Sequence, residues 1–127
     1  MKQAVVIVGF AALVSACSDP CTNTIVSKVD SPDGSHSAVL FQRDCGATTG
    51  FSTQISVVAK DETPTGNGNA FRADDDHGAA RVGEWEGSWA SITWLANDQL
   101  LVRYAQKSRI FQQAANVGGV KITYKVD

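Results

Sequence analysis

The sequence lacks an apolar run long enough to cross a bilayer. Its longest, Ala4 to Val14, has eleven residues; at about 1.5 Å per helical residue it covers roughly 16 Å, against a hydrocarbon core of about 30 Å. It also lacks an excess of one charge. Eleven Lys and Arg stand against 13 Asp and Glu, with no basic stripe, which argues against a nucleic-acid partner. Neither Gly-x-Ser-x-Gly nor Ser-x-x-Lys occurs, so two common nucleophile motifs are missing. The two His and three Cys show no recognisable zinc spacing. No internal repeat is visible. The expectation is one domain at most, with no metal, no cofactor and no assembled catalytic set, within a length of 127 residues.

What is present begins with an address. Lys2 precedes the apolar run, whose length suits the core of a secretory signal. Leu13-Val14-Ser15-Ala16-Cys17 then resembles the bacterial lipobox, with an apolar residue, two small residues and a Cys. The resemblance implies that the Cys17 thiol receives a diacylglyceryl group and that residues 1–16 are removed. Two or three acyl chains would hold the protein stably to a membrane. Ser18, rather than Asp, follows the Cys; in Gram-negative lipoproteins this implies release to the outer membrane, an inference that Asp19 weakens slightly. Residues 17–22 would form the lipidated Cys and a short tether, and residues 23–127 a single β-rich domain. The alternative is an ordinary signal peptide with a chance Cys.

With Cys17 used by lipid, Cys21 and Cys45 remain as an even pair for an oxidising compartment. Ser31-Pro32-Asp33-Gly34-Ser35 reads as a type I turn with Gly34 left-handed, closing a three-residue hairpin loop. If Ser31 opposes Ser35, opposed residue numbers total 66, as do those of Cys21 and Cys45. The pattern therefore predicts a disulfide, unless a bulge shifts the register. Two free thiols or a metal pair are the competing possibilities.

The remaining chain alternates short strand-like runs with breakers. Thr22–Val29 and His36–Arg43 form the hairpin, and both faces are partly apolar, so each should be covered. Val29, Ile25, Val39 and Phe41 are expected on one face, with Val26, Ala38 and Leu40 on the other. Phe51–Lys60, a short Ala70–Ala73, Trp89–Ala96, Leu100–Ala105 and Val120–Val126 continue the series. Ile110, Phe111 and Ala114 cluster as on a helix face, so Lys107–Asn116 is expected as one short helix. The fold class is mainly all-β: a small antiparallel sandwich or open barrel of six to seven strands.

Candidate chemistry is sparse. Asp74-Asp75-Asp76-His77-Gly78 loosely resembles the start of a calcium loop, but the twelfth residue is Trp85 rather than a closing Glu. The competing account is a solvated acidic loop. His77 beside Asp76 suggests a general base without a nucleophile. Thr48 and Thr49, between Gly46 and Gly50, offer hydroxyls and amides for an anion or a peptide edge; a plain turn accounts for them equally. Trp89 and Trp94 should face opposite sides of a strand, one of them in the core. That leaves Trp85 as the expected exposed partner-binding anchor.

Ser31-Pro32-Asp33-Gly34, Asp44-Cys45-Gly46-Ala47-Thr48-Thr49-Gly50-Phe51-Ser52-Thr53-Gln54 and Trp94-Leu95 with Leu100-Leu101-Val102 together resemble small bacterial envelope lipoproteins to which no activity is assigned. The resemblance spans most of the chain after Cys17. It implies a location and a fold without a chemistry. The functional expectation is a lipid-anchored binding or accessory module, with an envelope protein or peptidoglycan as partner. Two rivals are an inhibitor of a hydrolase such as lysozyme, inserting the Asp74–Gly87 loop, and a hydrolase built on Asp76 and His77.

Overall fold

The computed structural model describes residues 20–46 and 50–127; the signal-like segment, Cys17, Thr48 and Thr49 lie outside the described residues. Nine strands run in chain order: β1 (Thr22–Asp30), β2 (His36–Asp44), β3 (Ser52–Ala59), β4 (Phe71–Asp74), β5 (Ala90–Ala96), β6 (Gln99–Tyr104), β7 (Arg109–Gln113), β8 (Asn116–Val117) and β9 (Val120–Val126). They form a five-stranded sheet, β1-β2-β3-β4-β7, and a four-stranded sheet, β5-β6-β9-β8. The fold is an all-β sandwich, and among the described residues there is no helix. All pairings are antiparallel except β6 with β9.

Side-chain alternation explains the core. Ala38, Leu40, Ile55, Val57, Phe71 and Ala73 of the first sheet meet Ala90, Leu100, Val102, Val120 and Ile122 of the second. Phe71 sits at the centre, with the Tyr104 and Tyr124 rings 5.5 and 5.9 Å away. The Tyr124 hydroxyl lies 2.8 Å from the Ala114 carbonyl and 3.1 Å from that of Ala70. Burial pushes its pKa up to about 12.

The first sheet is covered on its other face as well. Val39 and Phe41 point away from the second sheet yet are 1% and 0% exposed. The segment after β3 crosses that face as a strap. It is bound at one side by Asn23 on β1, whose Nδ2 donates to the Pro64 and Gly66 carbonyls. On the other side, the Gly68 amide donates to Gln54 Oε1 at 2.7 Å and the Asn69 amide to Ser56 Oγ at 3.1 Å. Gln54 and Ser56 of β3 are both buried, and each accepts a hydrogen bond from the strap.

The first hairpin reaches the expected cysteine pairing by a different route. Ser31 pairs with His36 rather than Ser35, through its amide to the His36 carbonyl. From Asp30↔Ser37 to Ser27↔Leu40 the opposed numbers therefore total 67. A bulge between Ile25 and Ser27 then takes up one residue, and from Ile25↔Phe41 to Thr22↔Asp44 the total is 66. Cys21 and Cys45 follow as the next opposed pair, joined by a disulfide with Cα atoms 4.0 Å apart. The bulge has one further effect. Val29 lies opposite Ala38, on the side facing the second sheet, and not with Ile25 as an uninterrupted register requires.

The expected helix over Lys107–Asn116 is absent; Arg109–Gln113 is β7, at the edge of the first sheet. Two features override the helix-like cluster. Lys107 is left-handed, with φ of 72°, in a turn closed by the Ser108 amide on the Ala105 carbonyl. Beyond it, β4 presents an open edge that Arg109–Gln113 pairs with, as Gln112 accepts from Arg72 Nε at 2.8 Å. Propensity yields here to an available sheet edge.

Candidate functional site

Strand direction places the chemistry-bearing segments at one end of the sandwich. The starts of β1, β3 and β7 and the ends of β2 and β4 lie together in the first sheet. The start of β5 and the ends of β6 and β9 join them in the second. Cys21 and Cys45 close β1 to β2 there, so this is the end at which the chain enters from Cys17. We refer to it as the tether end.

The Asp74–Gly87 segment leaves β4 at this end and folds back on the sandwich. Asp74 is the last residue of β4 and is held by the guanidinium of Arg109, Nε to Oδ1 at 3.0 Å, while accepting from the Asp76 amide at 2.9 Å. Burial works to raise its pKa, but the Arg109 and Asp76 hydrogen bonds and the Arg109 charge hold the carboxyl below the ordinary value. Asp76 and His77 occupy the left-handed region, with φ of 52° and 57°, and both are exposed. Their turn is closed by the Ala79 amide on the Asp76 carbonyl and the Ala80 amide on that of Asp75. Among the described residues, no group of three His, Cys, Asp or Glu is arranged to hold a metal ion.

Trp85 is not the exposed anchor expected of it. Its indole packs against the core, Nε1 donates to Thr53 Oγ1 at 2.9 Å, and its carbonyl accepts from Gln42 Nε2. Gly83 and Gly87 make this possible by close approach: a Cβ on Gly83 would stand 2.4 Å from the indole, and one on Gly87 2.5 Å from Thr53 Oγ1. The Gly83 amide meets the Gly87 carbonyl at 2.8 Å, closing a loop around the ring. The flanking Gly residues were the signal in the sequence, and the exposed Glu84 and Glu86 between them masked it. Trp94 packs against the core and donates to the Val29 carbonyl, whereas Trp89 faces outward beneath the Arg81 guanidinium, 4.3 Å above its ring. Those two do take opposite sides.

The same end carries a cluster that no sequence window reveals. Arg81, Arg103 and Asp127, from three segments, converge: Asp127 accepts from Arg81 Nη2 at 3.2 Å and, on its other oxygen, from Arg103 Nη2. Hydrogen bonds from Arg81 and Arg103 keep the Asp127 carboxyl below its ordinary pKa. Its backbone is fixed as well, the amide donating to the Tyr104 carbonyl at 2.7 Å and the carbonyl accepting from the Gln106 amide at 3.1 Å. A cavity of about 170 Å³ opens beside this cluster, lined by Ala79, Arg81, Ala105, Gln106, Lys107 and Asp127. The arrangement is suited to holding a small polar group by charge. Among the described residues it places no nucleophile beside a base.

Searches against protein-family models, curated proteins and solved structures find no match to this chain.

Proposed function

We propose that the protein is a bacterial lipoprotein, held by acyl chains on Cys17, whose sandwich acts as a binding or accessory module in the cell envelope. The observation that carries this reading is the disulfide between Cys21 and Cys45. It fits an oxidising compartment, and it pins the chain at the tether end, four residues from Cys17 and within about 14 Å of it when extended. The reading therefore holds the sandwich close to the membrane, oriented with the Ser31–Ser35 turn outward toward an envelope protein or peptidoglycan. The lipobox-like residues and the Ser at position 18 support an outer-membrane anchor facing the periplasm.

The hydrolase-inhibitor reading needs a projecting loop. Ala80–Gly87 is folded onto the sandwich through Trp85 and through the Val82–Ser88 bridge, which leaves Asp75–Ala79 as the segment to insert. Intact mass of the protein purified from membranes, with labelled fatty acid supplied to the cells, tests the anchor. Cleavage before Cys17, incorporation of label and its loss in Cys17→Ser are expected; an unmodified N-terminus sinks the reading. Crosslinking in intact envelopes followed by capture should then recover one defined partner, and Cys17→Ser should reduce that yield.

A further inference from the structure

We propose that the cavity at the tether end binds a phosphate group, and that the phosphate of an anionic lipid headgroup is its source. The second half rests on the lipid-anchor reading; the first does not. Size limits the class of ligand. About 170 Å³ is five or six times the volume of a water molecule, about 30 Å³, and below the 300–1,000 Å³ typical of drug-sized ligand pockets. A tetrahedral oxyanion fits within it.

Charge sets the sign. Arg81 and Lys107 line the cavity and Arg103 stands behind it, against one carboxylate, Asp127. Of the side chains that line it, two are cations and one is an anion, at a spot where the β6–β7 turn and the end of β9 meet. Asp127 repels an incoming anion, yet it also organises the site. With its backbone bonded to Tyr104 and Gln106, its carboxylate holds two guanidiniums in place. Arg81 is further fixed by stacking over Trp89, and the turn fixes the backbone of Lys107. The two guanidiniums are thus ordered before a ligand arrives, which lowers the cost of binding.

Donor count favours phosphate over a second carboxylate. One planar carboxylate is already shared by two guanidiniums, and a guanidinium carries five N–H donors. The Nε of Arg103 is buried and has no hydrogen-bond partner. Arg81 reaches the cavity from the segment after β4, and Gln106 and Lys107 reach it from the β6–β7 turn, so donors stand on two sides of it, and an anion with oxygens at tetrahedral angles can meet both. Geometry then points to the source. The cavity opens at the end where the chain enters from Cys17, the end that an anchored molecule turns toward headgroups.

The test uses the protein as purified, in neutral detergent, with ¹⁵N resonances of the Arg81 and Arg103 side chains and the residue 105–107 amides as readout. Inorganic phosphate at constant ionic strength should shift these saturably while chloride does not. Arg81→Gln and Lys107→Asn, the latter suited to the left-handed position, should each weaken the response tenfold or more with the remaining spectrum unchanged. Thr123→Ala, on the outer face of the second sheet, should leave it intact. In nanodiscs without added phosphate, phosphatidylglycerol should shift the same resonances and phosphatidylcholine should not. A saturable phosphate response with no phosphatidylglycerol response keeps the phosphate site and overturns the headgroup as its source. A response that follows ionic strength alone, or survives both variants, overturns the site. An unmodified Cys17 in the intact mass removes the anchor reading but leaves the phosphate arm standing.

Discussion

The two sheets use similar residues to different ends. In the second sheet, β9 alternates: Val120 and Ile122 are buried, while Lys121, Thr123 and Lys125 are exposed. One face meets the core and the other meets solvent, as the period of two dictates. In the first sheet, β2 is buried from Ser37 to Phe41 without a break, because the strap over residues 61–69 covers the face that the second sheet does not. A continuous apolar run here marks a strand between two layers, the second of them a loop with no strand of its own. The strap is polar in sequence, and it covers apolar side chains by bonding to the polar residues beside them.

If the strap encloses a second core, Phe41 and Phe71 should behave alike. Each is 0% exposed, and each replaced by Ala should cost about 3–5 kcal/mol. Urea unfolding of the two variants makes the comparison. A cost below about 1 kcal/mol for Phe41→Ala would show the strap to be a loose cover, and the contrast between the sheets would collapse.

The covalent tie is the next difference. β1, the outer strand of the first sheet, is joined to β2 by the disulfide; β5, the outer strand of the second, is joined to β6 by hydrogen bonds alone. Replacing Cys21 and Cys45 together by Ala should cost about 3 kcal/mol for a loop of about 25 residues in the chain-entropy model. Hydrogen exchange should accelerate in β1 well before β5. Equal acceleration in both would mean that the cross-link stabilises only through the unfolded chain.

Asn69 tests how the strap is fastened. Its side chain mimics a paired strand residue, accepting from the Val57 amide at 2.8 Å and donating to the Val57 carbonyl at 2.9 Å. Asn69→Ala leaves a buried amide without that partner and should cost about 1–3 kcal/mol. Thr123→Ala, on the solvent face of β9, should change stability by no more than about 0.5 kcal/mol. Similar costs for the two would erase the distinction between a covered and an open face.

Much of this architecture was legible because period and turn chemistry are local. Seven of the strands lie where alternation or β-branched composition places them, and the opposite facing of Trp89 and Trp94 needed only their odd spacing. The cysteine pairing was legible for an incomplete reason: a turn with one more residue and a bulge at Val26 offset each other. What stayed hidden depended on distant partners. Nothing within Lys107–Asn116 announces that β4 will offer it an edge, and nothing in Gly83–Gly87 announces that Thr53 and Gln42 will hold Trp85. The phosphate cavity is the extreme case, since Arg81, Lys107 and Asp127 become neighbours only once both sheets are built.

The smallest expected effect concerns the one ion pair that ties the edge of the first sheet across the β4–β7 pairing. Asp74 and Arg109 are opposed there, with no equivalent pair within the strands of the second sheet, where Asp127 follows β9. Because the folded pKa of Asp74 lies below its unfolded value, its contribution is fully present above the unfolded pKa and is lost as pH falls through the folded one. Asp74→Asn should therefore lower stability at neutral pH by about 0.2–1 kcal/mol, the range for a partly exposed pair, and should flatten the acid limb of the stability curve below about pH 4. Raising salt should shrink the difference between wild type and variant. An unchanged acid limb in Asp74→Asn would assign the acid sensitivity to other carboxyls, Asp127 between its two guanidiniums being the first to examine.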